Sequence, residues 1–297
     1  MRADVFLAGR LPDHSRSQIR AEIRGGGILS DLRRLKPSSG LKEGESLTVT
    51  LPELDGPVEP KPAVPRVLWA DAHFVAFDKP TGLLAHPAGG IYIWGLINLA
   101  REAFPDEDLH LLHRLDRETS GVNLVSRTKL ATVNIKEAFK QRAVLKTYHA
   151  IVRGVVPWEQ RLVNAPIGSD PDSPVRLKQA VVADGQSAVT EVRVIQRFRD
   201  LTLVSCRPHT GRTHQIRVHL DHLGFPILGD RLYGQDPEVF LNLLEGRPTR
   251  RLRRRLGHPR HCLHARALHL PHPATGEVIS VRAPMPADMA RVLRKAR

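Results

Sequence analysis

The sequence predicts an α+β protein in two parts, and three observations carry that reading. Short runs alternate apolar and polar residues around tight turns, as in Ser187 to Phe198 followed by Leu201 to Cys206, the pattern of paired strands. Stretches such as Lys129 to Arg142 repeat their apolar residues at helical spacing. Pro52, Pro57, Pro60, Pro62 and Pro65 crowd one short segment, which makes a semi-rigid linker and not a core element. The expected division is a small unit over residues 1–52, a linker over 53–65 and a main domain over 66–297.

A chain of 297 residues is long enough for one sizeable core plus an accessory unit. Its 45 Lys and Arg against 31 Asp and Glu leave a net charge of +14, an excess that favours a polyanionic partner. A membrane is the poorer choice of partner. The apolar run Ile91 to Ala100 is broken by Gly95 and Asn98 and is too short to span a bilayer. With Asp4 and no long apolar stretch, the N-terminus does not read as a signal peptide. The two cysteines, Cys206 and Cys262, form no C-x-x-C pair, which fits a reducing cytoplasm, the expected location. His219 and His222 can share a helix face, and His261, Cys262 and His264 cluster further on. Neither group has the remaining ligands of a zinc pattern, so no metal is expected.

In the small unit, Ser15-Arg16-Ser17 can cap a helix through Gln18 to Ile23 that ends at Gly25-Gly26-Gly27. A turn with Ile28-Leu29 leads to Leu41 to Glu45 and a strand over Ser46 to Leu51. Arg16, Arg20, Arg24, Arg33, Arg34 and Lys36 make the unit basic, which by itself describes a solvated charged face.

The main domain opens at Val67 to Asp71. A strand over His73 to Asp78 ends in Lys79-Pro80-Thr81-Gly82-Leu83, where Pro and Gly force a turn. Gly95 to Phe104 reads as a helix with Leu96, Leu99 and Ala103 on one side. Next comes Leu112-His113-Arg114-Leu115-Asp116-Arg117-Glu118-Thr119-Ser120-Gly121. Apolar residues before it (Leu109, Leu111, Leu112) and after it (Val122, Leu124, Val125) read as two strands, with Thr119, Ser120 and Gly121 as turn chemistry between them. Asp116 is thus presented at a strand end, between two arginines that favour its ionised form. A charged carboxylate fixed there suits a nucleophile or an electrostatic stabiliser better than a general acid. The plain alternative is a surface turn whose Asp pairs with Arg for local structure.

The helix Lys129 to Arg142 is expected to pack Val133, Ala138 and Phe139 inward and to leave Lys136, Glu137, Lys140 and Arg142 in solvent. It delivers the strand Lys146 to Val152, on which Tyr148 reads as a half-buried strand aromatic. Arg161 to Lys178, rich in Pro, Asp and Ser, reads as loops. After the paired strands, Thr213 can cap a helix that runs through His222 and stops before Gly224. Gly211 and Arg212 precede that helix, a place where anions bind readily. Arg247 to Arg260 holds Arg250, Arg251, Arg253, Arg254 and Arg255 with only Leu252 and Leu256 between, a phosphate-tracking loop or helix without aromatics for base stacking. Ala287 to Arg297 reads as a short basic helix.

His113-Arg114-Leu115-Asp116 with Thr119-Ser120-Gly121 resembles the signature of the RluA-type pseudouridine synthases. The likeness continues through Lys79-Pro80-x-Gly82 with His86-Pro87, then Lys146-x-Tyr148, then Thr210-Gly211-Arg212-Thr213-His214-Gln215-Ile216-Arg217-Val218-His219. Gly229-Asp230-x-x-Tyr233-Gly234, Leu263-His264-Ala265 and His272-Pro273-Ala274-Thr275-Gly276-Glu277 extend it. Residues 1–52 look like the small αL RNA-binding domain of the ribosomal-protein-S-four type, although Ser30-Asp31-Leu32 stands where that family often has an Asn-Gly turn.

The resemblance implies a catalytic domain built on a long mixed, mainly antiparallel sheet flanked by helices. It implies isomerisation of uridine to pseudouridine in RNA, with large-subunit ribosomal RNA favoured over transfer RNA and no cofactor. Asp116 would be the catalytic carboxylate, Arg217 its ion-pair partner and Tyr148 the ring that stacks on uracil. His113, Arg114, Arg117, Thr119, Arg212, His214 and Gln215 would contact the substrate. Arg16, Arg20, Arg24, Arg251, Arg253 and Arg254 would contact the RNA backbone. A monomer is expected. Two other classes stand beside this reading: a non-catalytic RNA-binding or ribosome-assembly factor, and a metal-dependent nuclease, which needs a carboxylate cluster that the sequence does not display.

Overall fold

The computed structural model of the chain describes residues 1–11, 16–50, 60–86, 94–141, 143–244 and 249–296. Ser15, Pro87, Arg142, Arg247 and residues 53–59 of the expected linker lie outside the described residues. The chain divides into two compact units, Met1–Val64 with Leu84–Pro105, and Pro65–Leu83 with Asp106–Arg297.

The first unit holds α1 (Ala3–Arg10), α2 (Arg16–Gly25), the antiparallel pair β1 (Ile28–Ser30) and β2 (Leu47–Val49), and α3 (Leu96–Ala103). Its core is Ala3, Leu7, Ile19, Ile23, Ile28 and Leu35. Ile28-Leu29, expected as a turn, is a strand that buries Ile28 and exposes Leu29, the period of two that pairing imposes. α1 was not anticipated, because eight residues give too short a window for helical periodicity to register. It places Asp4 fully inside, where Arg2 and Arg16 each reach it at 3.0 Å and Arg20 at 3.8 Å. A carboxylate without water needs such partners. Arg16 and Arg20, expected as RNA contacts, are therefore turned to Asp4, while Arg24 is exposed. Residues 84–105, expected with the main domain, group with this unit. Within it Lys61 lies 5.2 Å from the Trp94 ring and pairs with Glu102.

The second unit is built on a ten-stranded sheet. Its strands are β3 (Val67–Ala70), β4 (Phe74–Lys79), β5 (His110–Leu111), β6 (Ser120–Ser126), β7 (Leu145–Arg153), β8 (Gln160–Asn164), β11 (Val189–Arg197), β12 (Leu201–Pro208), β13 (Leu263–Pro271) and β14 (Val278–Arg282). The main order is β3-β4-β6-β13-β7-β12-β11-β8, with β5 beside β6 and β14 beside β13. Every pairing is antiparallel except β6 with β13, which run parallel through Ser120–His264 and Gly121–Ala265. The expected mixed, mainly antiparallel sheet is what the chain forms. A separate pair joins β9 (Ile167–Ser169) to β10 (Gln179–Val181). β8 and β9 correct the expectation of loops over Arg161 to Lys178. They are only five and three residues long and each buries one apolar side chain, Val163 or Ile167, too little for alternation to show.

Gly121 also differs from expectation. It belongs to β6, at φ +110°, and a Cβ there would lie 2.2 Å from the Ala265 carbonyl oxygen. Close approach of two parallel strands, and not a turn, requires glycine at this point.

α4 (Lys129–Lys140) is capped by Thr128, whose side chain accepts the Ala131 N–H at 3.1 Å. It packs Ala131, Ile135, Ala138 and Phe139 against Phe74, Leu124 and Leu268. Val133, expected inward, is 64% exposed, because the buried stripe starts two residues earlier. A second core joins β7, β11 and β12 to α5 (Gln215–His222) and α8 (Ala287–Lys295) through Ile151, Val192, Val204, Leu220 and Met289. The N-cap of α5 is His214 and not Thr213. α6 (Pro237–Leu244) and α7 (Arg250–Leu256) complete the unit. Thr249 caps α7, and Arg153 donates to its last carbonyls, Arg255 O and Leu256 O, at 2.6 Å each, a cation at the negative end of the helix.

Candidate active site

Asp116 lies in the turn between β5 and β6, beside the parallel seam of the sheet, and that turn is clamped from several sides. Thr119 N–H donates to Asp116 O at 3.0 Å, and Gly82 N–H donates to Arg117 O at 2.9 Å. Lys79, at the end of β4, is fully buried and donates to Pro80 O (2.9 Å), Leu83 O (2.7 Å) and Arg117 O (3.2 Å). Burial pushes this amine down to about 7, with Asp116 pulling up and Arg260 and Arg117 pushing down. Three carbonyl acceptors need three N–H groups, so the bonded form is the ammonium. Thr81 Oγ1 and Arg260 Nη1 donate to Glu118 O at 3.1 and 3.2 Å. Arg260 in turn grips Asp288 in the first turn of α8 with two bonds of 2.7 and 3.0 Å. The loop is thus fixed by backbone carbonyls that side chains from three directions hold in place.

Beneath Asp116 lies Arg217 of α5. Its Nη1 donates to Asp116 Oδ2 at 3.1 Å, while Nε and Nη2 donate to Asp230 at 2.7 and 2.9 Å. Asp230 also accepts the N–H groups of Leu232 (2.9 Å) and Tyr233 (3.1 Å). The Arg217 guanidinium lies 4.9 Å from the Tyr233 ring, a cation–π contact that closes its remaining face. Exposure falls with depth: 34% for the Asp116 side chain, 9% for Arg217 and none for Asp230, so a substrate reaches Asp116 and not the pair below.

Charges follow from these contacts. Burial alone would raise Asp116, but Arg217, then His214 and His261, outweigh it and hold the carboxyl below its usual range. Burial likewise opposes ionisation of Asp230 and is overcome by Arg217, which leaves that carboxyl well below the usual range. Tyr148 on β7 is half-buried, with its ring against the second core. Burial and the charge of Asp116 raise its hydroxyl above the ordinary phenol value, so it is a neutral phenol close to the carboxylate. Asp116 and Arg217 are hydrogen-bonded, and Tyr148 lies within electrostatic reach of the carboxylate.

The other expected contacts divide. His214 joins the site, its Nε2 4.0 Å from Asp116 Oδ2. Arg114 is exposed. Arg117 donates through Nε to Gly82 O at 3.0 Å and so braces the turn. Buried Thr119 is bonded at 2.8 Å to His261 Nε2. Three residues are tied into the fold by their own hydrogen bonds. His113 Nε2 accepts the Leu124 N–H at 3.2 Å, its ring packs near Phe139, and burial, then Lys146, push it down to about 3. Gln215 uses every hydrogen-bonding site it has, accepting from Thr210 Oγ1 (2.8 Å) and Arg212 N (3.0 Å) and donating to Val189 O and Thr190 Oγ1 (2.9 Å each). Arg212 donates to Ser187 O at 3.0 Å and Gln186 Oε1 at 2.9 Å. On α7, Arg251, Arg253 and Arg254 are exposed.

Lys79, Asp230, Tyr233 and His261 were not singled out from the sequence as site residues. Asp230 had a signal, a lone carboxylate between Ile227-Leu228 and Leu232, which is the mark of a buried and paired charge. Its partner thirteen residues away in Arg217 had none.

A family model described as RNA pseudouridylate synthase matches residues 73–222. The chain is 38% identical over 303 residues to the ribosomal large subunit pseudouridine synthase D of Xanthomonas campestris, covering 100% of this chain and 89% of that protein. It is 32% identical over 306 residues to an uncharacterized RNA pseudouridine synthase of Bacillus subtilis, covering 100% of this chain and 94% of that protein. Among solved structures, human RNA pseudouridylate synthase domain containing 4 is 30% identical and superposes with a TM-score of 0.60, covering 78% of this chain and 92% of that one.

Proposed function

The chain belongs to the RNA pseudouridylate synthase family, and from that premise we propose that it isomerises uridines of large-subunit ribosomal RNA with Asp116 as the reacting carboxylate. In the reaction the N1–C1′ bond breaks, the base turns, a C5–C1′ bond forms, C5 gives up a proton and N1 gains one. The observation that carries the assignment is the single hydrogen bond from Arg217 to Asp116. It keeps the carboxyl ionised while, among the described residues, only one of its two oxygens accepts a side-chain hydrogen bond. A bidentate clamp would consume both, and that clamp is directed at Asp230 instead. One oxygen of Asp116 is left to attack C1′ or to stabilise a cationic sugar.

Tyr148 would take the extruded base. Extrusion costs a few kcal/mol when the uridine is paired or stacked, and stacking on the ring returns about 1–3 kcal/mol. The exposed arginines of α7 would hold phosphates and set register without reading sequence. Residues 1–52 would serve as an RNA-binding domain through Arg24 and its neighbours, with 53–65 as the linker and 66–297 as the catalytic domain. Ribosomal RNA is preferred as substrate because the Xanthomonas relative is named for it.

The test pairs a variant with a substrate screen. Asp116→Asn should abolish conversion of a large-subunit transcript while RNA binding stays close to wild type. Turnover near wild type in Asp116→Asn refutes the role given to the carboxylate. Mapping pseudouridines in a deletion strain identifies the RNA, and loss confined to transfer RNA overturns the ribosomal assignment.

A further inference from the structure

A cavity of about 870 Å³ opens beside the first residues of β7, lined among others by Phe139, Val144, Lys146, Arg207, Gly211 and Arg212. Its volume falls in the range that small ligands fill. Lys146 is half-buried, and its Nζ lies 5.7 Å from the Phe139 ring, a cation–π contact. A Cβ on Gly211 would lie 4.0 Å from the same Nζ, so the ammonium reaches the loop that leads into α5. Burial pushes this amine below the usual lysine range, and among the described residues no carboxylate stands close enough to raise it again. A lysine drawn out of water is usually paired, so the charge of Lys146 calls for an anion from outside the chain. The other charges of the cavity do not supply one. Glu191, its one carboxylate among the described residues, accepts Gln160 Nε2 at 3.0 Å and stands directly across from Arg207 in the register of β11 and β12. Arg212 donates to neutral acceptors, Ser187 O and Gln186 Oε1, and keeps its charge uncompensated. The cavity thus carries more positive than negative charge, the complement of a phosphate.

We propose that Lys146 binds the phosphate of the substrate RNA next to the target uridine, and that the cavity takes the nucleotide which this phosphate joins to it. Lys146 and Tyr148 are two residues apart on β7, hence on one face of the strand and about 7 Å apart along it. A strand whose uridine stacks on Tyr148 therefore brings its neighbouring linkage past Lys146. Arg212 adds a second positive charge, and Phe139 and Val144 give the neighbouring sugar or base an apolar wall. A phosphate held there opposes the return of the uridine to its stack, which lowers the cost of extrusion. The inference rests on the reading of Asp116 and Tyr148 as the site of uridine isomerisation.

The test is a double-mutant cycle between the side chain and the phosphate. Lys146→Met keeps the unbranched stem and removes the charge, while Lys146→Arg keeps the charge. The RNA is a short large-subunit fragment with a uridine that the wild type converts, made with one neutral methylphosphonate linkage at a time on either side of that uridine. Lys146→Met should bind the unmodified RNA about 10- to 100-fold more weakly, the effect of losing a hydrogen bond to a charged group. The slope of log affinity against log salt should fall by about 0.7, the share of one phosphate in a single strand. The loss should fall on KM, and Lys146→Arg should recover most of it. At one linkage the methylphosphonate should weaken the wild type as much and weaken Lys146→Met no further. Wild-type affinity in Lys146→Met overturns the proposal. So does additivity at every linkage, which marks a diffuse field of charge. If Lys146→Met does not fold, Lys146→Gln takes its place in the cycle. Failure of the underlying reading looks different: the wild type converts no uridine of large-subunit RNA, or Asp116→Asn still does, and either result takes this proposal with it. If both controls hold and no linkage couples to Lys146, only the role of Lys146 fails.

Discussion

Asp230 reacts with nothing in the proposed chemistry, yet it is the residue on which the charge of the site depends. It takes two of the N–H groups of Arg217, and a third, on Nη1, goes to Asp116. Removing one partner of a buried pair costs about 3–5 kcal/mol, because the remaining charge has no water to turn to. Asp230→Asn should therefore lower unfolding stability at pH 7 by that amount, as read by urea titration. The sign of its pH dependence follows from linkage. A carboxyl held below its usual range adds stability that is present above the unfolded value of about 4 and is lost as pH falls through the folded one. The gap between wild type and Asp230→Asn should shrink as pH falls below about 4. A gap constant down to pH 3 (about one unit below the unfolded value) would remove Asp230 from the charge balance. Arg217→Ala should be worse than Asp230→Asn in both stability and turnover, since it strands two carboxylates instead of one cation.

At the scale of elements, the site is assembled where β6 meets β13, and Gly121 sets how closely they meet. Gly121→Ala places a methyl 2.2 Å from the Ala265 carbonyl oxygen, in a backbone region that alanine resists. The strands must part, and the Asp116 turn that opens into β6 moves with them. The expected result is a lower melting temperature together with a kcat loss out of proportion to it, measured at a temperature where the variant is folded. α7 makes the opposite prediction. Its arginines are exposed, so Arg251, Arg253 and Arg254 changed together to Ala should leave stability and kcat nearly unchanged. The slope of log affinity against log salt for RNA should drop by about one per arginine that contacts a phosphate.

Elements with a strong local period were legible in the sequence: β4, β6, β7, β11, β12, α3, α4 and α8 all stand where alternation or helical spacing puts them. What failed were short pieces, α1, β1, β8 and β9, whose burial pattern is decided by partners distant in the chain. The site divides the same way. Asp116, Arg217 and Tyr148 sit in dense motifs, which is what singled them out in the sequence. The structural duties of Gln215 and His113, and the pairing of Asp230, depend on contacts that spacing along the chain does not encode.

On the scale of the whole molecule, the net charge of +14 fits a partner with a phosphate backbone, and the arginines of α7 show how part of it is displayed. The sheet carries a different message. β13, formed by residues 263–271, lies in its middle, between β6 and β7, although it is nearly the last strand of the chain. Until that segment leaves the ribosome, β6 and β7 each present a bare hydrogen-bonding rim to solvent, and such rims invite pairing with other chains. A nascent chain arrested before residue 263 should consequently aggregate or recruit chaperones, and one extended through α8 should not. Catalytic competence would then arrive in one late step of synthesis, when a single segment slots between two waiting halves.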